Sequence, residues 1–183
     1  SAEGELAAIL SDADEIPLMR ANAATALGSA TPSAVSGAAT AALVRALEDA
    51  WSAVAARAAR SLGTRRANGA ADALAKTAAA PRDFVALSAA LALLDVGDRR
   101  GPALTQALLQ RPALRGDYRL EMASAILAGR RGASAEALAH LSNAIADRPD
   151  FSRARELRAG VLEKLGRPDE AKRDRELAVR FRH

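Results

Sequence analysis

The chain has 183 residues, a formal charge of +4, no cysteine and only two histidines, His140 and His183. Those counts exclude disulfides, thiol catalysis, cysteine-based zinc sites and any metal site built on several histidines. No run of about 18 apolar residues is free of charge, so no membrane-spanning helix is expected.

Alanine accounts for 49 residues, aromatic residues for only 3%, and just three of the 26 bases are lysine. Residues 1–63 carry 4 bases and 7 acids, residues 64–116 carry 8 and 4, and residues 117–183 carry 14 and 11. A nucleic-acid binder usually shows a clustered basic face with stacking aromatics, so this mild, spread charge disfavours that class. Residue 1 is Ser, and no charged and apolar leader follows it. The chain reads as an excised or processed piece, and its compartment, cytoplasmic or periplasmic, stays open.

A short, clipped-looking apolar helix is expected at Leu6–Leu10. Then Met19, Ala23, Ala24, Leu27 and Gly28 recur 35 residues later as Val54, Ala58, Ala59, Leu62 and Gly63. Val85, Ala89, Ala90 and Leu93 make a third copy, with the glycine delayed to Gly97. Further helices are expected at Ala34–Leu47, Gly69–Ala80 and Pro102–Gln110. Self-similarity at this period predicts an all-α, right-handed α-α superhelix, an α-solenoid of about five helical pairs. The alanine pairs allow close helix approach, and Leu27 and Leu62 fill the space beside them. Gly28 and Gly63 are expected as left-handed C-caps. Asp14 and Asp49 are expected to cap or bridge turns, and Pro32 and Pro81 to stand near helix starts.

These residues resemble HEAT repeats, whose second helix commonly reads Asp, then Val-Arg, then Ala-Ala and Leu-Gly. Arg20 and Arg119 match the arginine of that pattern, but Ala55 and Ala86 stand there in the intervening copies. The Asp–Arg ladder implied by the resemblance should therefore be broken in its middle.

A second repeat closes the chain. Gly132, Glu136, Ala137 and Ala144 recur 34 residues later as Gly166, Glu170, Ala171 and Ala178, and Pro149 follows Ala144 by five. This spacing is similar to tetratricopeptide (TPR) repeats, in two copies over about 118–151 and 152–183. Glu121 and Arg155 depart from the large residue usual in the first helix, and Leu141 and Arg175 from the second-helix aromatic. Lys172, Arg173, Asp174, Arg175 and Glu176 read as a solvated end face, which a terminal repeat needs. The domain division is thus HEAT-like repeats over 1–115 and two TPR-like repeats over 116–183, stacked as one continuous solenoid, with residues 100–131 as the junction.

By the TPR resemblance, the first helix of each pair lines a groove. That places Arg119, Met122, Ile126 and Arg130 beside Arg153, Glu156 and Lys164, a mixed basic surface for a protein or peptide partner, acidic ones included. Trp51 is either a binding anchor or a residue packed between repeats or half-exposed on a rim, the second being favoured. The doublets Arg65-Arg66, Arg99-Arg100 and Arg130-Arg131 fall in turns. They either form an arginine ridge or complement helix C-termini, and their nearness to Gly63, Gly97 and Gly129 favours the second.

Apart from Glu136–His140, no carboxylate is spaced to meet a histidine, none sits in an apolar setting, and no phosphate-binding glycine loop is present. No enzyme activity, cofactor or metal is expected. The leading functional reading is a non-catalytic protein-interaction or scaffolding module binding a partner on a concave solenoid face. HEAT-like repeats followed by TPRs, with the run from Asp14 to Ala23, also resemble the C-terminal arm of bacterial multihaem c-type cytochromes. That resemblance implies a periplasmic docking arm, with electron transfer upstream. Weak nucleic-acid binding through residues 64–183 is a third reading.

Overall fold

The computed structural model describes residues 2–29 and 37–181, and among them every regular element is helical. Eleven α-helices make five consecutive pairs and one further helix. The pairs are α1 (Ala2–Ser11) with α2 (Pro17–Ser29), α3 (Gly37–Ala46) with α4 (Ser52–Thr64), and α5 (Ala71–Ala79) with α6 (Asp83–Val96). After α7 (Gly101–Leu108) come α8 (Tyr118–Arg130) with α9 (Ser134–Asp147), and α10 (Ser152–Lys164) with α11 (Pro168–Arg180). Helices pack on their neighbours in sequence or on the next pair, the arrangement of an all-α solenoid. They divide into two compact units, Ser1–Arg111 and Pro112–His183.

In the first unit, α2 packs on α4 and α4 on α6, making one layer, while α1 packs on α3. The alanine pairs explain the layer. Ala24, Ala58, Ala59, Ala89 and Ala90 are fully buried, as are Leu27, Leu62 and Leu93. Gly28 and Gly63 take part in this packing and are not the left-handed caps the sequence suggested. Both lie inside their helices. A Cβ on Gly28 would stand 2.4 Å from Ser61 Oγ, and one on Gly63 2.8 Å from Ala92 Cα. Ser61 occupies the space beside Gly28 and donates its hydroxyl to the Ala24 carbonyl at 2.7 Å.

The left-handed turns lie further on. Gly97, Gly132 and Gly166 have φ of 83°, 77° and 72°, and Arg66 takes the same role with φ of 49°. Each is followed by an amide donating back five residues: Ala67 to Leu62, Asp98 to Leu93, Ala133 to Ala128 and Arg167 to Leu162. These bonds satisfy carbonyls that a helix end otherwise leaves open.

Other expectations need adjusting. The first helix is a full ten residues, the same as α3. The stretch expected as Gly69–Ala80 opens with a 3₁₀ turn at Asn68–Ala70 before α5 begins. Pro81 stands in the turn before α6, whereas Pro32, residues 34–36 and His183 lie outside the described residues.

In the second unit, α8 packs on α9, α9 on α10 and α10 on α11. Ala137, Ala144, Ala171 and Ala178 are all buried where the 34-residue spacing puts them. Leu141, Ala144, Ile145, Ala125 and Ala154 form a core against which Tyr118, Met122, Phe151, Leu157 and Val161 pack. The Tyr118 and Phe151 rings meet edge to face at 5.2 Å, with the Arg148 guanidinium over both.

Candidate functional site

The most exposed apolar surface of the first unit lies at one end of its α2–α4–α6 layer. Ile16, Leu18 and Met19 stand at the start of α2, Trp51 at the start of α4 and Phe84 at the start of α6, with Trp51 59% exposed. Trp51 is thus on a rim, and not between repeats.

A polar network fixes these three helix starts to one another. Arg20 on α2 pairs with the Asp49 carboxylate. Asp49 Oδ1 also accepts the Trp51 amide at 2.8 Å, as an Asx turn leading into α4. The Asp49 carbonyl accepts from Arg82, in the turn before α6, at 2.8 Å. Arg111 continues the series, donating to the Ala80 carbonyl at 2.9 Å and to Asp83 at 3.1 Å.

The expected gap in the arginine ladder is therefore filled from the turns. Ala55 and Ala86 are wholly buried in helix packing, where a guanidinium would have no room. Arg82 and Arg111 reach back from outside the helices to do the same work. Of the two aspartates, Asp49 is the bridge. In the first turn it is Asp12 that caps, accepting the Asp14 amide at 3.0 Å.

The groove residues expected from the TPR resemblance all lie on α8 and α10. Ile126 is 41% exposed, and Arg130, Arg153 and Lys164 are exposed. Met122 is half-buried against the core. Arg119 folds back on Asp117, the N-cap of its own helix, at 2.7 Å. Arg153 and Glu156 approach to 3.8 Å on one helix turn.

One arginine of each doublet is held by a partner. Arg65, its side chain 2% exposed, caps the Leu27 carbonyl and pairs with Glu3 at 2.6 Å. Arg100 binds Asp98 and Asp72, both at 2.8 Å, and Arg131 binds Glu136 at 2.9 Å. Hydrogen bonds from Arg100 hold the Asp98 carboxyl down at about 2. Arg66, Arg99 and Arg130 remain exposed.

Two buried polar pairs escaped the sequence reading. His140 Nδ1 lies 2.6 Å from Glu121 Oε2, and Glu136, its expected partner, is further off at 3.8 Å. Glu121 is 6% exposed, so a buried carboxylate other than Glu136 does meet the histidine. One repeat later, at the same 34-residue offset, Arg155 pairs with Asp174 at 3.5 Å, and Arg158 clasps Asp174 at 2.6 and 2.7 Å. Asp174 is 3% exposed and points inward, so it does not belong to the solvated end face. The same two helical positions hold a carboxylate with a histidine in one repeat and an arginine with a carboxylate in the next, the acid changing sides. Among the described residues, no three side chains of metal-binding type converge, and no helix is long and apolar enough to cross a membrane.

The fold is similar to that of MamA AMB-1. That solved structure aligns with a TM-score of 0.55 and 18% identity, over 79% of this chain and 87% of its own. The likeness supports a TPR-like helical repeat fold. No family model and no curated protein matches the sequence.

Proposed function

We propose that this chain is a non-catalytic protein-interaction module, and that a partner docks on the row formed by Leu18, Met19, Trp51 and Phe84. The observation that carries the proposal is the exposure of these large apolar side chains on three helix starts locked together by Arg20, Asp49 and Arg82. Exposed aromatic side chains on a rigid support are the usual anchors of a protein interface, because little conformational entropy is lost when they are covered. The repeat fold supports the reading, since stacked helical pairs present extended surfaces. In the same reading, residues 1–115 are HEAT-like repeats and residues 116–183 are TPR-like repeats.

A photo-crosslinking residue at Ala53, exposed on the first turn of α4, tests the proposal against the same residue at Ala8, exposed on α1. The proposal expects a discrete adduct in host extract from position 53, lost when Trp51→Ala is added. Equal adducts from both positions, or an adduct indifferent to Trp51, would refute it.

A further inference from the structure

The face that runs on from the apolar row has a charge pattern that names its ligand. On α2 the exposed stripe is Leu18, Asn22, Thr25 and Ser29; on α4, 35 residues later, the matching positions are the exposed Ala53, Arg60 and Thr64 and the half-buried Arg57. Both stripes follow the three- and four-residue spacing of one helix face. The close approach at Gly28 and Ser61 sets them side by side, and Arg57 donates across to Asn22 at 2.8 Å.

Neither α2 nor α4 contains a single acidic residue. Arg60 is exposed, and its guanidinium has no ionic partner among the described residues. Arg57 is half-buried and is held by a neutral amide oxygen, so its charge is not balanced. The nearby acids are committed or at the margins. Asp49 is neutralised by Arg20, Glu15 accepts the Ile16 amide in the turn before α2, and Asp95, on the last turn of α6, stands beside Arg66 and against Gly63, where the α4 stripe ends. Residues 1–63 carry more acids than bases, yet the stripes on α2 and α4 show only bases, and the exposed acid beside them is Asp95 of α6. The acids of residues 1–63 sit on α1 and in the turns.

We infer that this face binds an acidic peptide segment bearing bulky apolar side chains. Its apolar groups cover Leu18, Trp51 and Phe84, and its carboxylates meet Arg57 and Arg60. The inference rests on the docking row proposed above and adds the chemistry of the partner. Arginine suits the role because its planar fork binds carboxylate in two-point fashion. A peptide is favoured over nucleic acid because the row offers two aromatics, Trp51 and Phe84, on separate helices beside Leu18 and Met19, and not a longer series of stacking aromatics.

The test uses the full chain and three short fluorescent peptides. All carry the same Phe and Leu residues, on an Asp/Glu, a Ser/Gly or a Lys background, and binding is read by anisotropy. The acidic peptide should bind about tenfold or more tighter than the neutral one, a difference that Arg60→Glu abolishes and Arg60→Gln reduces. Trp51→Ala should weaken the acidic peptide by about 30-fold, the size expected of an interface anchor. Equal binding of acidic and neutral peptides, both weakened by Trp51→Ala, would overturn the inference and leave the docking row standing. Failure of all three peptides, or indifference to Trp51→Ala, would overturn both. Tighter binding of a single-stranded oligonucleotide at the same residues would overturn the inference in favour of a polyanion.

Discussion

Replacing Gly63 by alanine should destabilise the first unit, although alanine is the better helix former. A glycine-to-alanine change in a helix interior gains up to about 1 kcal/mol when the new methyl meets nothing. At Gly160, inside α10, no atom lies within 4 Å of the added Cβ, so Gly160→Ala should stabilise by about 0.5–1 kcal/mol. At Gly63 the Cβ would stand 2.8 Å from Ala92 Cα, 2.9 Å from Ala92 Cβ and 3.1 Å from Asp95 Oδ2. The first of these is backbone and cannot rotate away, so α4 and α6 must separate. Overpacking of this kind costs about 1–3 kcal/mol. Offset by the helix gain, the net loss is about 1–2 kcal/mol. Hydrogen exchange read by mass spectrometry separates the two units, through the slowest amides of α4 and α6 and of α10 and α11. Protection should fall in the first pair for Gly63→Ala and rise in the second for Gly160→Ala. If both variants gain protection, the close-approach account of the layer is wrong.

Three further outcomes follow from the same geometry. Arg66 holds a left-handed conformation that disfavours side chains, so Arg66→Gly should raise stability by about 0.5–1 kcal/mol, seen as a higher urea midpoint. Asp174→Ala strips the counter-ion from Arg155 and Arg158 and should cost about 3 kcal/mol, whereas Lys76→Ala, which breaks an exposed pair with Glu48, should leave the urea midpoint unchanged. Carboxyl NMR should place Asp98 near its value of about 2, returning toward 3.8 in Arg100→Gln. Because that carboxyl is depressed in the folded chain, its contribution to stability is present above pH 3.8 and is lost as pH falls toward about 2.

Much of the fold was legible because repetition carries it. The alanine pairs, Leu27 and Leu62, and the Gly132/Gly166 offset each encode a contact that recurs, and a recurring contact shows as a period in the sequence. The errors arose where one residue type serves two physical ends. A glycine at a helix end and a glycine at a helix crossing look alike in sequence, so the sequence suggests caps at Gly28 and Gly63, whereas Arg66 does the capping after α4. Arginines acting across repeats escaped for another reason. Arg82 and Arg111 come from turns, outside the helical register in which Ala55 and Ala86 left a gap.

The Glu121–His140 pair was hidden because its members are 19 residues apart on different helices. Its signal was present at one remove. The 34-residue offset maps Glu121 and His140 onto Arg155 and Asp174, two positions each carrying a charge or a histidine in both copies. The candidate site was legible only in part. Trp51 stood out by type, but that Leu18, Met19 and Phe84 share its edge depends on how the three helix starts align. That alignment comes from the packing of α2 on α4 and α4 on α6, and from hydrogen bonds of Asp49 that join the starts.

The most direct measurement is an NMR titration of the intact chain with the acidic Phe- and Leu-bearing peptide. The Leu18 and Met19 methyls and the Trp51 indole should shift together along one saturating curve, with Ile126 on α8 unmoved. Shifts confined to Ile126 and the exposed face of α8 and α10, or no saturating shift at Trp51, would contradict the account.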